Sequence, residues 1–168
     1  MLEEQVLDSE RHDRARFTCG QADLDDFLKR FAIQQMRKNL TVVRVLVDSE
    51  RPSEILGFYN VSAAQIEVAT MQESDRKALP RYPLPCFRMG RLACSSEHQG
   101  QGIGRALIGL AVSRCVEAKT HVAAYALIVD AKDEIAKAFY LHYGFAEMMD
   151  APMSLYLPLA APPKGKVS

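Results

Sequence analysis

Apolar positions along this chain change period several times, and each change marks an element. Over residues 22–38, Leu24, Phe27, Leu28, Phe31, Ala32 and Met36 recur at helical spacing and predict one buried face. Asp23, Asp25 and Asp26 open that stretch and Arg37 and Lys38 close it, the order that suits a helix dipole. Leu40–Val47 is a β-branched run and reads as a strand. Arg51-Pro52-Ser53 makes a turn, and Ile55–Val61 reads as the returning strand of a hairpin that extends toward Val68. Residues 70–85 are polar and broken by Pro80, Pro83 and Pro85, which predicts a short helix and a loop. Cys86–Cys94 reads as a strand, Ile103–Glu117 as a helix and His121–Asp130 as a buried strand. Lys132–Tyr143 reads as a helix stopped by Gly144, and Ser154–Leu159 as a last strand. The order α, β, β, loop, β, α, β, α, β predicts a mixed α/β domain. Its first half is antiparallel, and one helical crossover joins the strands ending near Cys94 and Asp130.

Length and composition sharpen this picture. A chain of 168 residues, 48% hydrophobic and 25% charged, suits one globular domain with a full core. The expected domain is 1–159, and the segment 160–168, with Pro162-Pro163, is expected to be a disordered tail. No apolar run approaches the ~20 residues of a membrane span. The acidic start Met1-Leu2-Glu3-Glu4-Gln5 lacks the basic and apolar regions of a signal peptide, so a cytoplasmic protein is expected. Cys19, Cys86, Cys94 and Cys115 are widely spaced, with no zinc-type pairing, and read as reduced thiols; no metal is expected.

The candidate chemistry begins at Gln99-Gly100-Gln101-Gly102-Ile103-Gly104, between a strand-like run and a helix. Glycine lets backbone approach a ligand closely, and a helix start offers free N–H groups at the positive end of a dipole. Together they form an anion site, most often for phosphate. A P-loop needs Lys-Ser/Thr after its last glycine, and Gly104 is followed by Arg105-Ala106. A dinucleotide fingerprint needs G-x-G-x-x-G, and the pattern here is G-x-G-x-G. Both nucleotide readings fail on spacing.

Gln99-x-x-Gly102-x-Gly104 resembles the acyl-CoA pyrophosphate loop of the GNAT N-acetyltransferases. Ala136-Lys137-Ala138-Phe139-Tyr140-Leu141-His142-Tyr143-Gly144-Phe145 resembles that superfamily's A-x-x-F-Y-x-x-x-G-F element, in the right order along the chain. Three further stretches, Phe17–Leu28, Arg88–Ala93 and Val129–Lys132, resemble the GNAT toxins of bacterial toxin–antitoxin pairs. The likeness spans residues 15–159. It implies the single-domain GNAT (acyl-CoA N-acyltransferase) fold, a mixed, mostly antiparallel sheet flanked by helices. It also implies transfer of acetyl from acetyl-CoA to the α-amine of aminoacyl-tRNA, which blocks translation. The implied partners are aminoacyl-tRNA, a ribbon-helix-helix antitoxin and a second copy of the chain in a homodimer.

The resemblance also distributes roles. The backbone of Leu92, Ala93 and Cys94 would meet the pantetheine arm. Gln99, Gly100, Gln101, Gly102, Ile103, Gly104 and Arg105 would hold the pyrophosphate. Phe139 would pack beside the cofactor, and Tyr140 would be the general acid. Asp133 stands where the superfamily often has asparagine, and it is also a candidate helix cap. Tyr143 reads as core, and His98 and His142 as surface histidines. The strand Cys86–Cys94 has no acid to serve as a base. A free α-amine has a pKa near ~8, far below a lysine near ~10.4, so the missing carboxylate fits an α-amine acceptor. Glu67 is the alternative base.

Net charge is zero, but residues 1–26 carry eight acids against three arginines. Residues 76–96 carry Arg76, Lys77, Arg81, Arg88 and Arg91 and no acid, and Lys29, Arg30, Arg37, Lys38 and Arg44 form a second basic group. A solvated surface explains any one of these charges, but two blocks in a neutral protein also suit a polyanion. Lys77, Arg81, Arg88, Arg91, Lys29, Arg30 and Lys38 are therefore the candidate tRNA contacts. The rival readings are an acetyltransferase for protein N-termini or small amines, and a non-catalytic acyl-CoA-binding module.

Overall fold

A computed structural model describes residues 1–159. The expected tail 160–168 lies outside the described residues. In chain order the elements are β1 Leu2–Val6, α1 Ala22–Asp26, a π-helical turn Phe27–Phe31, α2 Ala32–Arg37, β2 Val42–Asp48 and β3 Gly57–Ile66. Then come α3 Glu73–Arg76, β4 Leu84–Cys94, α4 Ile103–Ala118, β5 Ala126–Asp130, α5 Glu134–Tyr143, β6 Ala146–Glu147 and β7 Ser154–Pro158. The strands form a seven-stranded sheet in the order β1-β2-β3-β4-β5-β7-β6. The pairs β1–β2, β2–β3, β5–β7 and β6–β7 are antiparallel.

The described residues form two compact units: Met1–Ser62 with Met89–Ser113, and Ala63–Arg88 with the described residues from Arg114 onward. In the first, β2 pairs with β3 so that Val45 faces Phe58 in register. Phe17 meets the Phe58 ring edge-on at 5.5 Å, and Phe27 stacks on it at 6.1 Å. Leu24, Leu28, Ala32, Val43 and Val47 complete this buried cluster. In the second unit, β5 pairs with β7, Ile128 opposite Tyr156. Ile66, Met71, Leu84, Cys86 and Met148 pack around that pair.

Four sequence expectations need correction. The long first helix carries an i→i−5 bond, from the Ala32 N–H to the Phe27 carbonyl. That extra residue rotates the helix face, so Phe31 is 42% exposed instead of buried. The strand expected from His121 begins only at Ala126, because residues 121–125 form a turn after α4. Tyr143 is exposed, not core. Finally, β1 was not expected: its residues are too polar to signal a strand. It holds the sheet edge because Glu4, with a nearly buried side chain, lies 3.6 Å from Arg44 and accepts a hydrogen bond from the buried Tyr59 hydroxyl.

Candidate active site

The first unit carries the glycine loop. Gly100 and Gly102 sit at φ +80° and +78°, a region that side chains disfavour. A Cβ at Gly100, Gly102 or Gly104 would meet nothing within 4 Å, so open space lies over the loop. Among the described residues, the backbone N–H groups from Gln99 to Arg105 find no acceptor; the first bond of the helix runs from Ala106 N–H to the Gly102 carbonyl at 3.0 Å. Consecutive unpaired donors at the start of a sixteen-residue helix make an anion site, which the pyrophosphate of acetyl-CoA would fit. Gln99, Gln101 and Arg105 are exposed and Ile103 is buried, so Ile103 anchors the loop while the others face out. Leu92 and Cys94 are half-buried and Ala93 is buried at the end of β4.

One contact explains how the loop is placed. A Cβ on Gly57, the first residue of β3, would lie 2.8 Å from the Ala93 carbonyl oxygen, 2.8 Å from Leu107 Cδ1 and 3.0 Å from Ile103 Cγ2. Only glycine lets β3, the end of β4 and the first turn of α4 close to this distance. Sequence reading missed Gly57, which carries no motif.

His98 is also more than a surface histidine. Its Nε2 lies 3.0 Å from Glu54 Oε1 and its Nδ1 lies 3.4 Å from Gln101 Oε1. The bond with Glu54 holds the imidazole above its ordinary value, against partial burial. The same bond holds the Glu54 carboxyl below its ordinary value.

The second unit carries Tyr140. It is 7% exposed, on α5, with Phe139 edge-on at 5.7 Å and Phe145 at 5.5 Å. Burial, then the Asp130 charge, push its hydroxyl up to about 12. Among the described residues the hydroxyl has no hydrogen-bond partner. Asp133 caps α5, accepting from the Ala136 N–H at 2.8 Å, as its position predicted. Gly144, at φ +121°, ends the helix and returns its N–H to the Tyr140 and Leu141 carbonyls.

The basic candidates separate by environment. Arg91 is half-buried, its guanidinium 3.9 Å over the Phe27 ring of the π turn. That turn is itself braced by Arg14, which donates to the Lys29 carbonyl at 3.2 Å. Arg88 pairs with Asp130, which also accepts from Ser154 at 2.7 Å, so its charge is largely neutralised locally. Arg30 pairs with Asp26 at 3.5 Å on the surface. Lys29, Lys38, Lys77 and Arg81 are exposed, with no ion pair among the described residues. Lys77 and Arg81 line a cavity of about 480 Å³, with Arg76, Tyr82, Glu67 and Glu73. The β4 strand contains no carboxylate, and Glu67 is exposed at the cavity.

The description "Acetyltransferase (GNAT) domain" matches residues 42–147. The chain is 30% identical over 149 residues to a tRNA-acetylating toxin of Mycobacterium tuberculosis (strain ATCC 25618 / H37Rv), covering 89% of this chain and 87% of that protein. It is 25% identical over 162 residues to a probable toxin TacT of Sinorhizobium fredii (strain NBRC 101917 / NGR234), covering 92% and 89%. Among solved structures, AtaT complexed with acetyl-methionyl-tRNAfMet superposes with a TM-score of 0.87 at 28% identity, covering 94% of this chain and 95% of that one. AtaTR bound with AcCoA superposes with a TM-score of 0.81 at 29% identity, covering 94% of each. With a glycine cradle before α4, a buried tyrosine on α5 and this likeness over most of its length, the chain belongs to the GNAT acetyltransferase family.

Proposed function

We propose that this protein is a toxin that transfers acetyl from acetyl-CoA to the α-amine of aminoacyl-tRNA and thereby stops translation. The single observation that carries the donor half is the run of unpaired N–H groups from Gln99 to Arg105 over open space. The acceptor half is supported by the similarity to the tRNA-acetylating toxin and by the free cations Lys77 and Arg81. In this reading Gln99 to Arg105 hold the pyrophosphate, Leu92 to Cys94 line the pantetheine arm and Phe139 packs beside it. Bound acetyl-CoA supplies the thioester: the amine forms the C–N bond, the C–S bond breaks, and sulfur leaves as a thiolate.

Tyr140 holds the proton that the sulfur needs. With its hydroxyl at about 12 it is fully protonated at neutral pH. Against a thiol near ~8.5 in water, that transfer is uphill. Tyr140 therefore gives up its proton only as charge develops on sulfur, in step with cleavage of the C–S bond. The ester of aminoacyl-tRNA draws its amine below the ~8 of a free α-amine, so a large share attacks in the neutral form without a base on β4, and the proton the nitrogen sheds as the amide forms passes through water to restore Tyr140.

A ribbon-helix-helix antitoxin, a homodimer and a cytoplasmic setting complete the proposal. Among the described residues no helix is long and apolar enough to cross a membrane. The test is replacement of Tyr140 by Phe, which keeps the ring packing against Phe139 and Phe145. Acetyl transfer should fall by about 10²- to 10⁴-fold with acetyl-CoA affinity unchanged. Full activity in that variant would remove Tyr140 from the chemistry.

A further inference from the structure

The cavity lined by Arg76, Lys77, Arg81, Tyr82, Glu67 and Glu73 lies wholly within the second unit. Its volume of about 480 Å³ falls in the range of small-ligand sites and suits one nucleotide. Three properties define what it can take. First, Arg76, Lys77 and Arg81 line it together, so a phosphate entering it would meet several cationic donors. Second, Tyr82 is 62% exposed, an aromatic ring open to stacking. Third, two carboxylates stand beside three cations, leaving one net positive charge, the complement of one phosphodiester.

The frame around the cavity is fixed. The buried Tyr156 hydroxyl accepts from the Gln72 N–H at 2.9 Å and donates to Asp75. Gln72 Nε2 donates to the Glu147 carbonyl at 2.9 Å, and the Met149 N–H to the Thr70 carbonyl at 2.7 Å. α3 and the loop after it are thus tied to β6 and β7, which pre-organises the lining.

We propose that this cavity seats one unpaired nucleotide of the tRNA acceptor end, its base on Tyr82, its phosphate on Arg76 with Lys77 or Arg81, and its exocyclic amino group on Glu67 or Glu73. The proposal rests on aminoacyl-tRNA being the substrate. Carboxylates accept from the amino groups of cytosine, adenine and guanine, whereas uracil offers only its ring N3–H, so the seat disfavours uridine. The unpaired 3′ strand of tRNA ends in cytidine, cytidine and adenosine, so each of its bases qualifies.

The experiment measures binding of the full chain to a synthetic acceptor-stem hairpin with that 3′ strand. Each unpaired nucleotide is replaced in turn by an abasic unit or by uridine. Acetylation of charged tRNA by the wild type is read alongside. One abasic position should weaken binding about tenfold, uridine there should weaken it less, and Tyr82→Ala should give the same loss. Combining Tyr82→Ala with that abasic unit should add nothing further, and Tyr82→Phe should restore binding. Unchanged acetyl-CoA affinity in each variant reports an intact fold. If the wild type acetylates tRNA and Tyr82→Ala binds the hairpin normally, or the two losses multiply, the seat is overturned and the substrate assignment stands. If the wild type acetylates no tRNA, both fall.

Discussion

At the residue scale, three side-chain environments make measurable statements. A Tyr140 hydroxyl at about 12 stays protonated through the working range. The pH profile of kcat should therefore show no alkaline fall below pH about 11 from loss of this acid, and its acidic limb should follow the substrate amine, which the ester draws below the ~8 of a free α-amine. An alkaline limb between pH 8 and 10 that disappears in Tyr140→Phe would contradict this environment. The Glu54–His98 pair makes a second statement. His98 is raised, so its share of stability is present below its unfolded value of 6.5 and fades as pH rises through the folded value. Glu54 is lowered, so its share is present above its unfolded value of 4.5 and fades as pH falls through the folded value. Thermal melts of wild type and Glu54→Gln should differ most between pH 4.5 and 6.5 and converge on the alkaline side. A difference that is flat with pH would show that the charges do not matter there. At Gly57, any side chain meets a backbone carbonyl at 2.8 Å. Gly57→Ala should cost about 1–3 kcal/mol of stability. It should also raise the Kd for acetyl-CoA, read by calorimetry, because Ile103 opens the helix that carries the donor loop.

Elements with strong local signals were legible in the sequence. The glycine loop, the α5 helix with its Asp133 cap and Gly144 stop, and the β2–β3 hairpin all stand where periodicity and capping chemistry place them. What escaped has physical reasons. The π turn at Phe27–Phe31 obeys no hydrophobic period, since one inserted residue shifts the face while composition stays helical. β1 is Leu-Glu-Glu-Gln-Val, a strand held by edge pairing with β2 and by Glu4 on Tyr59 rather than by alternation. The apolar run Val122, Ala123 and Ala124 predicts strand over 121–125, yet these residues form a turn in which Val122 is 72% exposed. The site was legible as a list of residue types and not as environments. Nothing in the spacing tells that Arg88 meets Asp130, that Arg91 rests on Phe27, or that Arg76 keeps a buried donor free.

At the scale of the whole molecule, zero net charge gives the chain no global attraction for RNA, so attraction must be local. Reversing Lys77 and Arg81 to Glu should weaken tRNA binding most at low salt and flatten its dependence on salt, with acetyl-CoA affinity unchanged. An equal loss of both affinities would point to a damaged fold instead. The central claim is acetyl transfer to one acceptor, the amine of a charged tRNA. Its most direct test is incubation of the purified chain with labelled acetyl-CoA, charged tRNA, uncharged tRNA and free amino acid. The expected result is label on charged tRNA alone, in a form released with the amino acid when its ester is hydrolysed. Label on free amino acid or on protein N-termini, with charged tRNA left blank, would contradict it.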